Sequence, residues 1–422
     1  MKRIFFLLFT VTGIQLSYAQ DPQVFAYKPV WPDPSAGLLH SFGISAEYSA
    51  ASDGLSNAFL QHFYTGGFID SSEKQREEAH LLPTNRFGAY SGLSVAYSWK
   101  NKADTIRWEF TLAYRDRQSI FGSFTNDAFK LAFEGNRPFL GSTADISGTK
   151  MTLLHWQQMQ FEAKYFSADM RSEMVFGVSF LNGQQFQEAN IRTGKLFTQS
   201  DGTMLDATVD ASYYSSDTLT KGFGSRNGAG NCFNFRFSTI LGDTAARFHS
   251  QLMFSVQDLG YIRWNPHSQI YSVDTSTQFR GVDASDIVLN PDNISGIPSS
   301  DSLIGEPKNG QVISFLPIGI RARYILLTPF QWWAGVEARI WSYTGASTQY
   351  TMFGGWRTKD FKWSFSGGAS YGGFGVLQFP LQVSYSPCKN FAMSLGTLNA
   401  GGYIVPKKMH GEGMFTNLSF AF

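Results

Sequence analysis

Nine charged side chains stand at alternate positions within otherwise apolar segments, and they are the residues of this 422-residue chain best placed to do chemistry. They are Arg107, Glu109 and Arg115; Asp206 and Asp210; Arg321 and Arg323; and Glu337 and Arg339. Around the first group Ile106, Trp108, Phe110, Leu112 and Tyr114 take the intervening places, so charges and aromatics never share a side. A period of two is that of a β-strand, whose successive side chains point to opposite faces. Charges gathered on one face of many strands suit either of two roles. They line a polar pathway or plug for solutes, or they form cross-strand ion pairs that simply fill an interior.

Catalysis leaves no comparable trace. The chain carries no His-Glu-x-x-His, Cys-x-x-Cys, Walker or Gly-x-Ser-x-Gly spacing. His155 and His249 fall on predicted strands, and Ser250 and Ser255 lie near the second, but nothing aligns a triad. The Gly-rich run Lys221 to Asn231 lacks the Lys-Ser/Thr ending of a phosphate loop and reads as a surface loop. Cys232 and Cys388, the only two cysteines, fall on a strand and a turn and read as free thiols. No catalytic residues, metal site or cofactor are expected.

The elements that must position the charges are strands, and the last ten residues show the pattern most plainly. Met414, Thr416, Leu418, Phe420 and Phe422 alternate with Phe415, Asn417, Ser419 and Ala421. Such a strand closes an outer-membrane barrel or edges a soluble sandwich, and periodicity alone does not choose. Composition favours the barrel, with aromatics at 16%, 41 glycines and only 16% charged residues, against about 25% in ordinary soluble domains. The net charge of +1 gives no footprint for nucleic acid. Lys2 and Arg3 before the apolar run Ile4 to Ile14, then Ser17-Tyr18-Ala19, read as a signal peptide over 1–19 cleaved after Ala19. The Pro-rich stretch 20–37 is a periplasmic lead-in. Beyond the signal no run approaches the roughly 18 apolar residues of a spanning helix.

We therefore predict an all-β protein, a transmembrane antiparallel β-barrel of about 14 strands (range 12–16) over residues 38–422. Weak alternation at Phe59 to Phe68 suggests a further strand, and Ser71 to His80 an exposed loop. Long loops are expected near 116–149, as a candidate plug, and near 258–310. Counting strands back from the C-terminus puts the long segments on one side and the short turns on the other, the asymmetry of outer-membrane barrels. Trp99, Trp332, Trp333, Trp341, Trp356 and Trp363 sit near strand ends, where interfacial girdles form. Lys or Arg facing lipid at midplane costs about 2–4 kcal/mol, which directs the nine charges to the lumen.

Several short motifs carry a resemblance. Asn85-Arg86-Phe87, Phe133-Glu134-Gly135-Asn136, Asp258-Leu259-Gly260-Tyr261-Ile262-Arg263-Trp264 and Phe279-Arg280-Gly281, followed by the alternating final third, resemble an uncharacterised family of Bacteroidota outer-membrane barrels. Its members look like relatives of fatty-acid-transporter-type barrels and of barrels accompanying type IX secretion and gliding machinery. The resemblance implies a non-enzymatic channel or transporter for a small hydrophobic molecule in the outer membrane of a Gram-negative bacterium. The alternative is a scaffold barrel that docks a secretion, gliding or surface protein. Outer-membrane lipid and, through Gly413 to Phe422, the barrel-assembly machinery are the expected partners.

Overall fold

The computed structural model describes residues 40–100, 108–169, 171–216, 224–242, 249–280, 307–328, 331–342 and 345–422. The expected signal peptide, the Pro-rich stretch and Arg107 lie outside the described residues. In chain order the first elements are β1 (His40–Ser52), α1 (Asn57–Thr65), α2 (Ser71–Glu78), β2 (Thr84–Lys100), β3 (Trp108–Thr125), α3 (Asn126–Phe133), β4 (Ser142–Asp145), β5 (Lys150–Phe166) and β6 (Ser172–Thr198). Next come β7 (Met204–Ser215), β8 (Gly228–Leu241), β9 (His249–Trp264), β10 (Gln269–Arg280), β11 (Lys308–Asn309), β12 (Ile313–Phe315) and β13 (Gly319–Leu327). The last third holds β14 (Trp332–Trp341), β15 (Ser347–Arg357), β16 (Trp363–Gly373), β17 (Leu377–Gln378), β18 (Leu381–Cys388), β19 (Phe391–Thr397), α4 (Ala400–Ile404) and β20 (Gly411–Ala421).

Following antiparallel neighbours gives one ring: β1, β2, β3, β5, β6, β8, β9, β13, β14, β15, β16, β18, β19, β20 and back to β1. That is a closed barrel of 14 strands. Closure is made by the alternating C-terminal segment, whose Phe420 and Leu418 stand opposite Phe42 and Ile44. A closed ring leaves no unpaired edge, the condition for crossing lipid with strands. Both termini of the ring meet at one end, which we call the turn end. There β18 joins β19 through a tight turn, whereas the opposite loop end carries the helices and the longer connections.

Along the wall strands most outward positions are apolar. Trp108, Phe110, Leu112 and Tyr114 of β3 lie beside Phe161 and Met159 of β5, and Val178 and Phe180 of β6 are 54% and 74% exposed. Large apolar groups left exposed in a continuous band mark a lipid-facing surface. At the turn end the band finishes in stacked aromatics: Tyr97 on Trp99, Trp108 on Phe110, Trp356 and Trp363 on Phe365. Trp332, Trp356 and Trp363 point outward there, as a girdle requires. Trp333 and Trp341 depart from that expectation. Trp333 is buried against Ile325, Leu327 and Phe353, and Trp341 lines an internal cavity, because each shares the inward parity of Glu337.

Several connections are ordered more than the sequence suggests. Phe59 to Phe68 is not a strand, since helix α1 occupies Asn57–Thr65, and helix α2 replaces the expected loop at Ser71–Glu78. Ser56 caps α1 by accepting from the Phe59 amide at 3.3 Å, and Asp70 caps α2 by accepting from the Glu73 amide at 2.8 Å. The segment near 116–149 is no luminal plug of coil. Strand β3 runs on to Thr125, and α3 then packs Phe129 and Phe133 around the fully buried Phe59. Likewise 258–264 belongs to β9, and 269–280 forms β10.

One sheet rises clear of the ring. The 27-residue β6 pairs with β8 through residues 172–183, then continues beyond the wall to pair with β7 through 187–198. Strand β4 pairs with the end of that extension, and β10 pairs with β7.

Candidate functional site

The interior is where the charged residues converge. On the β3 to β9 side the inward positions carry a ladder of ion pairs. Glu109 lies 3.1 Å from Lys164, Glu173 lies 3.7 Å from Arg236, and Arg115 lies 3.8 Å from Glu162. Between them Gln158, fully buried, donates its amide to Ser179 Oγ at 2.8 Å and Gln160 Oε1 at 3.1 Å. Buried polar groups are tolerated when they satisfy one another in this way.

A β-bulge supplies the strongest of these contacts. Opposite Phe233 and Phe235 of β8, strand β9 spends one residue more than its partner, and Asp258 takes a left-handed φ of 59°. Asp is among the few residues that tolerate this conformation, and the extra residue re-aims side chains inward. The Asp258 amide donates to Asn234 Oδ1 at 2.7 Å, and its carboxylate lies 2.7 Å from Arg117 Nη1. Arg117, with no exposed surface, stacks its guanidinium over Trp156 at 5.8 Å.

Across the barrel, β13 and β14 build a denser cluster. Arg323 stands directly opposite Glu337, and Arg321 opposite Arg339. Arg323 places Nε and Nη2 at 2.7 and 2.5 Å from Glu337 Oε2, while Arg339 Nη2 and Arg321 Nε lie 3.2 and 3.8 Å from Oε1. Facing arginines on paired strands repel, so the shared carboxylate is what makes the arrangement tenable. Below it Trp333, Phe353, Ile325 and Leu327 close the interior towards the turn end.

Above the cluster, towards the loop end, is a cavity of about 150 Å³. Arg321, Arg339, Glu47 and Glu412 give it charge, Gln257, Gln349 and Gln378 give it amides, and Ile120, Phe121, Trp341 and Phe374 give it apolar wall. Phe374, from the β16–β17 connection, lies over Gly88, where any Cβ would collide with its ring. A smaller recess, sharing Tyr90, Gln257 and Trp341, leads to the Arg117–Asp258 pair. On that side Trp156, Trp264, Phe186, Leu181 and Leu316 pack into one apolar cluster.

The structure thus brings Arg321, Arg323, Glu337 and Arg339 into one cluster, and places Glu109 and Arg115 in a separate ladder. Asp206 and Asp210 require a correction, because β7 pairs only with the extension of β6 and with β10, outside the ring. There Asp210 pairs with Arg192 at 2.5 Å, and that hydrogen bond holds its carboxyl below the usual range. Alternation is the same in a wall strand and in a sheet standing in water, so periodicity could not separate them. Arg117, Glu47, Gln158 and Asp258 are additions. Arg117 continues the parity of Glu109 and Arg115, but Asp116-Arg117-Gln118 is polar on both faces and hides the strand. Asp116 faces outward and accepts from His155 at 3.0 Å and Gln157 at 3.1 Å. His155 is thereby part of a tether between β3 and β5.

The molecule is a transmembrane antiparallel β-barrel of 14 strands whose inward positions carry charge. It belongs to the family of unknown function DUF5723, whose model matches residues 40–394. No curated protein matches the chain. Among solved structures it is similar to the P. putida toluene transporter TodX, with a TM-score of 0.43 and 7% identity over 91% of this chain and 90% of that one. A Pseudomonas aeruginosa FadL homologue gives 0.42 and 10% over 91% and 90%. The translocator domain of autotransporter NalP from Neisseria meningitidis gives 0.35 and 6% over 91% and 88%. These likenesses are distant.

Proposed function

We propose that the barrel is a passage for small molecules across the outer membrane, with the cavity beside Arg321 and Arg339 as its binding station. The observation that carries this reading is the cavity's lining, in which guanidiniums and amides face an aromatic and aliphatic wall. Specific sites commonly combine an apolar body with a few placed polar groups. Its volume, about 150 Å³, is the size that accepts one small ring. Onward movement requires the Arg117–Asp258 pair or the Glu337 cluster to part, so this conformation is the closed one. Non-enzymatic passage needs no catalytic group, and none is assigned.

The test is permeation in proteoliposomes containing the full chain. Slow uptake of a small aromatic solute by the native barrel, and faster uptake with Arg117→Ala, is the expected result. Equal leakage from barrel-containing and empty vesicles, unchanged by that substitution, would dismiss the passage. A second reading rests on the sheet of β4, β6, β7 and β10 beyond the wall, which suits docking of a secretion or surface protein. Loss of a co-purifying protein on deleting 199–216, with permeation intact, would favour it.

A further inference from the structure

The loop end carries a small surface that the passage does not use. Helix α4 packs beside β17 and β20 at the rim with Tyr403 on the lipid-facing side, and the residues after it accept from the Asn57 and Ala58 amides of α1. The Tyr403 hydroxyl lies 2.6 Å from that of Tyr48, and Tyr48 shares the outward parity of Phe42, Ile44 and Ala46. Gly402 lets the helix approach this closely, since a Cβ there would collide with the Gly411 carbonyl and with the Asn57 amide. Asn57 and Asn399 both donate to that carbonyl, at 2.9 and 2.7 Å. The loop is therefore held rigidly at the rim of the barrel.

What it presents is divided by chemistry. Tyr403, Ile404 and Val405 are 42%, 77% and 45% exposed, and Lys407 and Lys408 follow them, also exposed. Glu412, which acts electrostatically on both tyrosines, is itself engaged by the Gln61 side chain. An apolar triplet joined to the lipid-facing band through Tyr403 and followed, after Pro406, by two cations matches the boundary between acyl chains and charged headgroups.

We propose that Tyr403 to Lys408 is a membrane-interface anchor. Ile404 and Val405 enter the acyl layer of the loop-end leaflet, and Lys407 and Lys408 bind the phosphates of anionic lipid headgroups there. The partner is the lipid surface itself, argued from charge complementarity and continuity with the apolar band. The proposal does not depend on what crosses the lumen. Each lysine near an anionic surface strengthens binding about fivefold, so the pair is worth roughly 25-fold.

The experiment is native mass spectrometry of the full folded barrel, transferred from micelles doped with phosphatidylglycerol or with phosphatidylcholine. The native chain should retain phosphatidylglycerol preferentially. Lys407→Gln with Lys408→Gln should weaken that retention roughly 25-fold and leave phosphatidylcholine unaffected. Ile404→Ser with Val405→Ser should weaken both lipids. Faster migration on an unboiled gel checks that each variant is folded, and single substitutions replace any double variant that is not. Equal phosphatidylglycerol retention by the lysine variant would overturn the anchor. Displacement of the lipid by millimolar inorganic phosphate would overturn it too, by reducing the lysines to a site for a free ion.

Discussion

Glu337 is the residue on which the interior depends most. It lies on a spanning strand, almost without exposed surface, and is a carboxylate shared by Arg321, Arg323 and Arg339. Removing one partner of a buried ion pair costs about 3–5 kcal/mol, because the charge left behind has no compensation. Glu337→Gln should lower the midpoint of urea unfolding correspondingly, whereas Arg339→Gln, which leaves two arginines on the carboxylate, should cost less. Equal losses would show that the three arginines are not sharing one counter-charge. Phe415 teaches a related lesson. It is the one large apolar group on the inward face of the closing strand, and its ring packs on Gly396 of β19. A Cβ at Gly396 would also come within 2.6 Å of the Leu381 carbonyl, so Gly396→Val should destabilise where Ala421→Val at the strand end does not.

At the scale of elements, the cap of α1, α2 and α3 has an apolar cluster separate from the rest of the interior. Phe59 is fully buried among Phe63, Phe129 and Phe133, and Glu77 accepts from both the amide and the hydroxyl of Ser56 at 2.7 Å. Phe59→Ala costs about 3–5 kcal/mol at such a site. The loss should fall on the cap alone, as faster amide exchange over 53–83 with the wall strands still protected. Beside the cap stands His410, outside the membrane-spanning strands. Burial holds its pKa below the ordinary imidazole value, against opposing pulls from Glu77 and Asp53. The fold therefore prefers the neutral ring. That contribution is complete above the ordinary histidine pKa and is lost as the pH falls through it towards the lower folded value. Protection factors over 53–83, corrected for intrinsic exchange, should fall between about pH 7.5 and pH 5.5, and His410→Asn should flatten the dependence. An unchanged profile in that variant would remove His410 from the account.

For the whole molecule, the property that matters is closure. Strand β20 satisfies the edges of both β1 and β19, so its loss would expose two rows of backbone donors and acceptors to lipid. Deleting 411–422 should abolish the faster-migrating band that a closed, detergent-stable barrel gives on an unboiled gel, while deleting 199–216 should leave that band in place. A heat-modifiable species that survives the first deletion would mean that the ring closes without β20.

The amino-acid sequence by itself determined the class of fold, because lipid on one face of a strand and packed polar groups on the other impose a period of two. That pattern survives in Trp108 to Tyr114, in Arg321 to Tyr324 and in the last ten residues, whatever their neighbours. It also gave Arg321, Arg323, Glu337 and Arg339 the parity of inward positions, without joining them into one cluster. Only the tertiary structure decided which alternating strands belong to the wall. Strand β7 looks like a wall strand and stands outside, and β6 belongs to both settings along its length. Tertiary structure alone also joined Arg117 to Asp258, 141 positions further along the chain, through a bulge that has no periodic signature. Helices α1 and α2 were misread for a similar reason. Their fixing contacts are Glu77 beneath Ser56 and Phe59 against Phe129, and short helices depend on such packing more than on their own sequence.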